Sequence, residues 1–263
     1  MIAMSPSESL VPAPLWLHGT GTTNVPMAAR AGRGRVSRGL VLDLDNTLYP
    51  LERYVQSGFA AVAAHVADAF GVSAAAAYML LSRSVVNGEQ QRAFQSLCQK
   101  FNLGSETVQV LLEVYRAHRP SIFLGHGARE LLHRMRADGW ALAVLTNGLP
   151  SVQALKVEAL GLSELVDHVL YAERLAPGGK PAPSVFLEAV RRLGTRPELA
   201  VCVGDDLRCD IAGARSAGLA TIRLAVSNVN VAREFEADIV VDTLTDVPQA
   251  AASLLEGVVR NAA

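Results

Sequence analysis

The chain has 263 residues, of which 50% are hydrophobic and 19% charged, a composition that supports a sizeable globular core and excludes intrinsic disorder as the general state. Its 24 basic and 25 acidic residues give a net charge of −1, so no global field holds a nucleic-acid polymer or an anionic membrane. The three cysteines, Cys98, Cys202 and Cys209, form no Cys-x-x-Cys pair or disulfide framework, and no segment reaches the about 20 apolar residues of a membrane helix; the expectation is a cytoplasmic protein acting on small molecules.

Residues 1–38 stand apart. They carry four prolines, a single acid (Glu8) and a late arginine cluster at Arg30, Arg33, Arg35 and Arg38. A secretory signal is not expected from this pattern, because no basic stretch leads into an apolar one. The acid-poor character is compatible with an organelle transit peptide. The simpler reading is a disordered extension, or a segment upstream of a true start at Met27.

The first strand is expected over 39–45, where an apolar run ends in Asp43 and Asp45, followed by Thr47. A short continuous apolar run reads as a strand buried on both faces, and the carboxyl end of such a strand is where open α/β sheets bind ligands. Two acids two residues apart there repel each other unless a cation or proton intervenes. The bland alternative is a solvated strand end with Thr47 capping a turn.

A helical stretch of about 70 residues comes next. Val55, Phe59, Val62, Val66 and Phe70 recur at steps of three and four, which predicts an amphipathic helix over 51–71 closed by Gly71. Further helices are expected at 73–86, 89–101 and 105–117, until Pro120 breaks the pattern. Residues 50–120 thus read as an all-helical insertion in a core made of 39–49 and 121–263.

Beyond residue 125 strands and helices alternate. Helix 127–138, strand 140–146, helix 150–160, strand 168–171, helix 183–193, strand 199–205, helix 209–217, strands 220–224 and 238–241, and a closing helix at 247–256 are predicted. Such alternation argues for a doubly wound, mainly parallel α/β sheet. Three of its strand ends or loops bear reactive groups: Thr146-Asn147-Gly148, the lone Lys180 after Gly178-Gly179, and Gly204-Asp205-Asp206 with Asp210 beyond. Singly, each has an ordinary structural use as a helix cap, a turn lysine or first-turn acids.

Taken in order, Asp43-Leu44-Asp45-Asn46-Thr47, Thr146-Asn147, Lys180-Pro181 and Gly204 to Asp210 resemble the four signatures of the haloacid dehalogenase-like hydrolase superfamily. The likeness spans about residues 39–256 and continues into the segment 211–219. Asp206 departs from the Ser or Thr usual in the family, and Cys209 from the usual Asn. The helical insertion resembles the family's α-helical cap of the first class, and the fold implied is Rossmann-like.

The resemblance implies a phosphatase acting through an aspartyl-phosphate. Asp43 would be the nucleophile and Asp45 the general acid and then base; Thr146, Asn147 and Lys180 would bind the phosphoryl group. Asp43, the carbonyl of Asp45, and Asp205 would hold Mg²⁺, with Thr47, Asp206 and Asp210 around them and Asp210 orienting Lys180. The substrate implied is a small phosphorylated metabolite, a nucleotide monophosphate or a sugar phosphate, and the protein a monomer or homodimer. The Asn-Thr-Leu-Tyr-Pro continuation at 46–50 is similar to that of some pyrimidine 5′-nucleotidases. A phosphosugar mutase would keep the same motifs. A phosphonate-cleaving enzyme would need a lysine in the insertion, where only Lys100 is found. A phospho-accepting signalling domain remains a non-catalytic alternative, although it would have no use for Asp45 or a large cap.

Overall fold

The computed structural model describes residues 38–225 and 236–262, with side chains as far as residue 256. The expected N-terminal extension lies outside the described residues except for Arg38. That residue already belongs to the core: its guanidinium lies 4.7 Å over the Trp140 ring and donates to the Asp138 carbonyl at 2.8 Å.

In chain order the elements are β1 (Gly39–Leu42), α1 (Leu51–Phe70), α2 (Ala74–Val86), α3 (Ala93–Lys100), α4 (Thr107–Ala117) and α5 (His126–Ala137). Then come β2 (Ala141–Thr146), α6 (Pro150–Leu160), β3 (His168–Tyr171), α7 (Ala172–Leu175) and α8 (Pro183–Arg192). The chain continues with β4 (Ala200–Gly204), α9 (Gly213–Ser216), β5 (Ala220–Leu224), β6 (Ile239–Val241) and α10 (Val247–Ala262). Among the described residues no helix is long and apolar enough to cross a membrane.

The six strands form one parallel sheet in the order β3-β2-β1-β4-β5-β6. Burial of both faces explains the unbroken apolar strand sequences. Leu40, Leu42, Val144, Val201 and Val203 face a core that includes Leu131, Val157 and Leu255 from α5, α6 and α10. Val41, Ala143, Leu145 and Cys202 face the other side, with Phe186 and Ala189 of α8 and Ala214 of α9. Helices α1 to α4 close over a third core built on Phe59, Val62, Val66, Leu81, Leu97 and Leu111.

Strand order reverses at β1, whose neighbours are β2 on one side and β4 on the other. The crossovers from these strands leave in opposite directions, and the parting loops open a crevice at the carboxyl ends. Register puts those ends level: Leu42 lies opposite both Val144 and Val203, so the residues just beyond converge.

Several boundaries differ from expectation for local physical reasons. The first strand stops at Leu42, because Asn46 turns the chain with φ 59° and its N–H donates to the Tyr49 carbonyl; asparagine tolerates this left-handed conformation. The helix expected at 89–101 begins as a 3₁₀ turn, Gln90–Arg92, after the Gly88 turn. The helix expected at 209–217 opens instead as a wide π-type turn, Leu207–Ala212. Both Asp210 and Ile211 donate their N–H to the Asp206 carbonyl, which widens the first turn. The four-residue α7 was not anticipated, and α10 runs six residues past the expected end at 256.

Gly213 marks a tight contact behind these loops. A Cβ there would lie 2.7 Å from Cε2 of the fully buried Phe186 and 3.0 Å from the Pro181 backbone. Gly213→Ala is therefore expected to destabilise by about 1–3 kcal/mol, the usual cost of overpacking. Urea unfolding checks this; an unchanged midpoint would show that α8 and α9 part freely.

Candidate active site

The crevice gathers side chains from four segments of the chain. Asp43 is the first residue past β1, and its N–H donates to the Val203 carbonyl at 2.9 Å, which locks it beside β4. Thr146 ends β2, and Asp205 and Asp206 follow β4. Lys180 comes from the loop between α7 and α8. Together with Asp45, Asn46, Asn147, Cys209 and Asp210, these residues line an open cleft of about 210 Å³.

Lys180 is held by its backbone as well as its charge. The Asn147 side chain accepts from the Lys180 N–H at 2.8 Å and donates to the Lys180 carbonyl at 2.9 Å. Both polar groups of the Asn147 side chain are thereby committed to placing the lysine. The ammonium, 4% exposed, lies 2.5 Å from Asp43 Oδ1 and 2.7 Å from Asp210 Oδ1. Burial opposes its charge, but the two carboxylates outweigh burial and hold its pKa above the usual lysine value. Asp210 is bound at both oxygens, because Oδ2 also accepts from the Asp206 N–H at 3.1 Å.

One ammonium cannot neutralise this many acids. Burial pushes the Asp43 carboxyl up to about 7 against the lowering effect of Lys180, and Asp210 adds to the rise. Asp205 is raised to about 6, first by burial and then by the Asp43 charge. Oxygens of Asp43, Asp205 and Asp210 come within 4.8 Å of one another. An all-carboxylate set of this kind suits a hard divalent cation, which would favour the ionised form of the buried acids and offset their mutual repulsion. Since Asp210 is already bound at both oxygens, Asp43 and Asp205 are the carboxylates free to take it.

Asp206 turns away to cap the following turn, its Oδ1 accepting from the N–H groups of Arg208 at 2.9 Å and Cys209 at 2.6 Å. Thr47 is buried, its Oγ1 has no hydrogen-bond partner among the described residues, and it does not line the cleft. Thr146, 1% exposed, receives a hydrogen bond from Gln153 Nε2.

Asp45 occupies a different environment from Asp43, although only two residues separate them. Lys156 Nζ donates to both of its oxygens at 2.8 Å, Gln153 Nε2 to Oδ2 at 2.9 Å, and the Tyr49 hydroxyl to Oδ1. Of these three donors, Gln153 and Lys156 were not singled out from the sequence, whereas Tyr49 falls within the Asn-Thr-Leu-Tyr-Pro stretch noted at 46–50. A signal was present: Gln153, Lys156, Val157 and Leu160 form the buried face of α6, and two of its four residues are polar. Asn46, part of the first signature, has a structural use: its side chain accepts from the Leu51 N–H at 3.0 Å and starts α1. The result is two carboxylates with separate surroundings, one paired to Lys180 and one to Lys156, an arrangement that permits nucleophilic attack by the first and proton transfer by the second.

Residues 38–218 match the family described as haloacid dehalogenase-like hydrolase. A ribulose-1,5-bisphosphate 5-phosphatase from Halopiger xanaduensis is 30% identical over 235 residues, covering 81% of this chain and 98% of that protein. A glyceraldehyde 3-phosphate phosphatase from Methanopyrus kandleri is 42% identical over 93 residues, 35% of this chain and 40% of the relative's length. Among solved structures, a 2-haloacid dehalogenase from Pseudomonas syringae pv. Tomato aligns with a TM-score of 0.59 and 26% identity, over 82% of this chain and 99% of that one.

The raised acids set the pH dependence of stability. Asp43 and Asp205 keep their protons to higher pH folded than unfolded, where such groups ionise near 3.8. The folded state therefore binds more protons between about pH 4 and 7, and stability falls as pH rises through that window. A bound divalent cation replaces those protons and should flatten the fall. Melting in EDTA and in excess Mg²⁺ should diverge most at pH 8 and least at pH 5. Parallel curves would mean that no cation enters this cluster.

Proposed function

Since this chain belongs to the haloacid dehalogenase-like hydrolases, we propose that it is a Mg²⁺-dependent phosphatase that hydrolyses a small phosphate monoester through an aspartyl-phosphate on Asp43. The observation that carries the reading is Asp45: a carboxylate two residues after the nucleophile, lining the same cleft but held by its own set of donors. Expulsion of a halide needs no proton, whereas an alkoxide leaving from phosphorus does.

In the first half-reaction an Asp43 oxygen attacks phosphorus while Asp45 gives its proton to the departing oxygen, which releases the alcohol. In the second, Asp45 takes a proton from water as that water attacks the same phosphorus. The acyl-phosphate bond breaks, and Asp43 and inorganic phosphate are restored. Lys180 offsets charge on the nucleophile and phosphoryl oxygens, and Thr146 with neighbouring backbone N–H groups receives the oxyanions. Mg²⁺ held by Asp43, Asp205 and the carbonyl of Asp45 would draw the dianionic phosphate into a cleft otherwise walled by carboxylates.

For the substrate, the names of the relatives favour a phosphorylated sugar over a nucleotide. Helices α1 to α4, with their separate core, are the proposed cap that selects it. A panel of sugar phosphates and nucleoside monophosphates with Mg²⁺ would separate these classes.

Asp45→Asn keeps shape and removes the proton. Turnover of an alkyl phosphate is expected to fall by about 10²–10⁴-fold, the usual worth of general acid–base catalysis. Release of p-nitrophenol from its phosphate should fall less in the first turnover, since that leaving group needs little protonation. Equal alkyl-phosphate turnover by wild type and variant would remove Asp45 from the reaction. Asp43→Asn should abolish steady-state turnover altogether, and retention of activity would displace the nucleophile.

A further inference from the structure

The donors around Asp45 are more elaborate than its pairing requires. Lys156 lies on α6, 4% exposed, and the ion pair recorded for it is to Asp45. Its ammonium also sits 4.4 Å from the centre of the Tyr54 ring, on α1, so the charge is clasped between a carboxylate and an aromatic face. Its neighbours on the inner face of α6, Val157 and Leu160, pass into the hydrophobic core. Two apolar side chains in place of both ion-pair partners would serve the packing at least as well, whereas removing one partner alone leaves the other charge uncompensated to the extent that it is shut off from water. The Asp45 side chain is 22% exposed and lines the cleft, so water can reach it. Packing alone therefore does not account for a lysine here.

Geometry supplies another reason. Asp45 lines the cleft, whereas its donors Tyr49, Gln153 and Lys156 are not among the lining residues. Gln153 shares its amide between Asp45 and Thr146, which ties the orientation of the acid to the end of β2, where the phosphoryl group is proposed to bind. A two-oxygen grip by one ammonium, with one further donor on each oxygen, fixes both the position and the rotation of the carboxylate plane.

We propose that Lys156, assisted by Gln153 and Tyr49, is a positioning residue that fixes the Asp45 carboxylate for proton transfer to and from the reacting oxygens. The proposal rests on the role given to Asp45 above. A carboxylate at a cleft wall would otherwise sample several rotamers, and misplacement of a reacting group by about 1 Å can cost on the order of 10²-fold in rate.

A double-mutant cycle tests it, using wild type, Lys156→Met, Asp45→Asn and the double variant with an alkyl phosphate and Mg²⁺. Lys156→Met is expected to lower kcat by about 10–10²-fold, with KM nearly unchanged and a smaller loss on an aryl phosphate. In the Asp45→Asn background the same substitution should cost little further, because its effect runs through the missing acid. An equal loss in both backgrounds, or no loss in the single variant, would overturn the proposal. Unchanged turnover in Asp45→Asn alone would remove the catalytic reading and this inference together; a loss there without one in Lys156→Met would remove this inference only. Should Lys156→Met fail to fold, Tyr49→Phe deletes a single donor from the same cradle. Its smaller loss should likewise vanish in the Asp45→Asn background, and persistence there would count against the proposal.

Discussion

The contact of one buried ammonium with two carboxylates governs the rest of the site. Lys180 touches both Asp43, just past the end of β1, and Asp210, in the widened turn after β4. Two negative charges face one positive there, and burial above all, with the Asp210 charge adding to it, holds the Asp43 carboxyl above the ordinary range against the lowering effect of Lys180. A divalent cation among Asp43, Asp205 and Asp210 would offset that negative charge.

Everything that places Lys180 can be traced to the sheet. A lysine in a loop has a long, flexible side chain, yet here its backbone is clamped by Asn147 and its stem is enclosed by the cluster. Asn147 is available because β2 ends beside β1, and Asp210 because the turn after β4 widens around the Asp206 carbonyl. Strand order therefore acts on the chemistry directly: the reversal at β1 opens the crevice, and the level register of β1, β2 and β4 brings their terminal residues within reach of one another.

Asp43 and Asp45 show how one short segment furnishes two different acids. The left-handed turn at Asn46 ends the strand and sends the chain back toward Tyr49, so Asp45 leaves the Lys180 cluster and meets α6. Each acid then has its own lysine. Two carboxylates that shared one environment would compete for one proton, a competition that separate environments relieve.

The strand and helix alternation, the doubly wound sheet and the four family signatures were legible in the sequence because each is a local pattern: an apolar run, a helical repeat, or an acid at a strand end. Asp43, Asp45, Thr146, Lys180, Asp205 and Asp210 could be marked in that way, since each sits at a strand end or in the loop or turn beside one. Of the cradle around Asp45, Tyr49 stood within a noted stretch, but Lys156 and Gln153 were not legible. Lys156 and Gln153 lie 111 and 108 positions from Asp45 and occupy the middle of an ordinary-looking helix, so only the packing of α6 against the sheet shows whom they meet. The widened turn at Leu207–Ala212 and the early end of β1 were likewise decided by hydrogen bonds that close only in the folded chain. Periodicity determines which face of an element is buried; what a polar group on that face finds there depends on residues a hundred positions away.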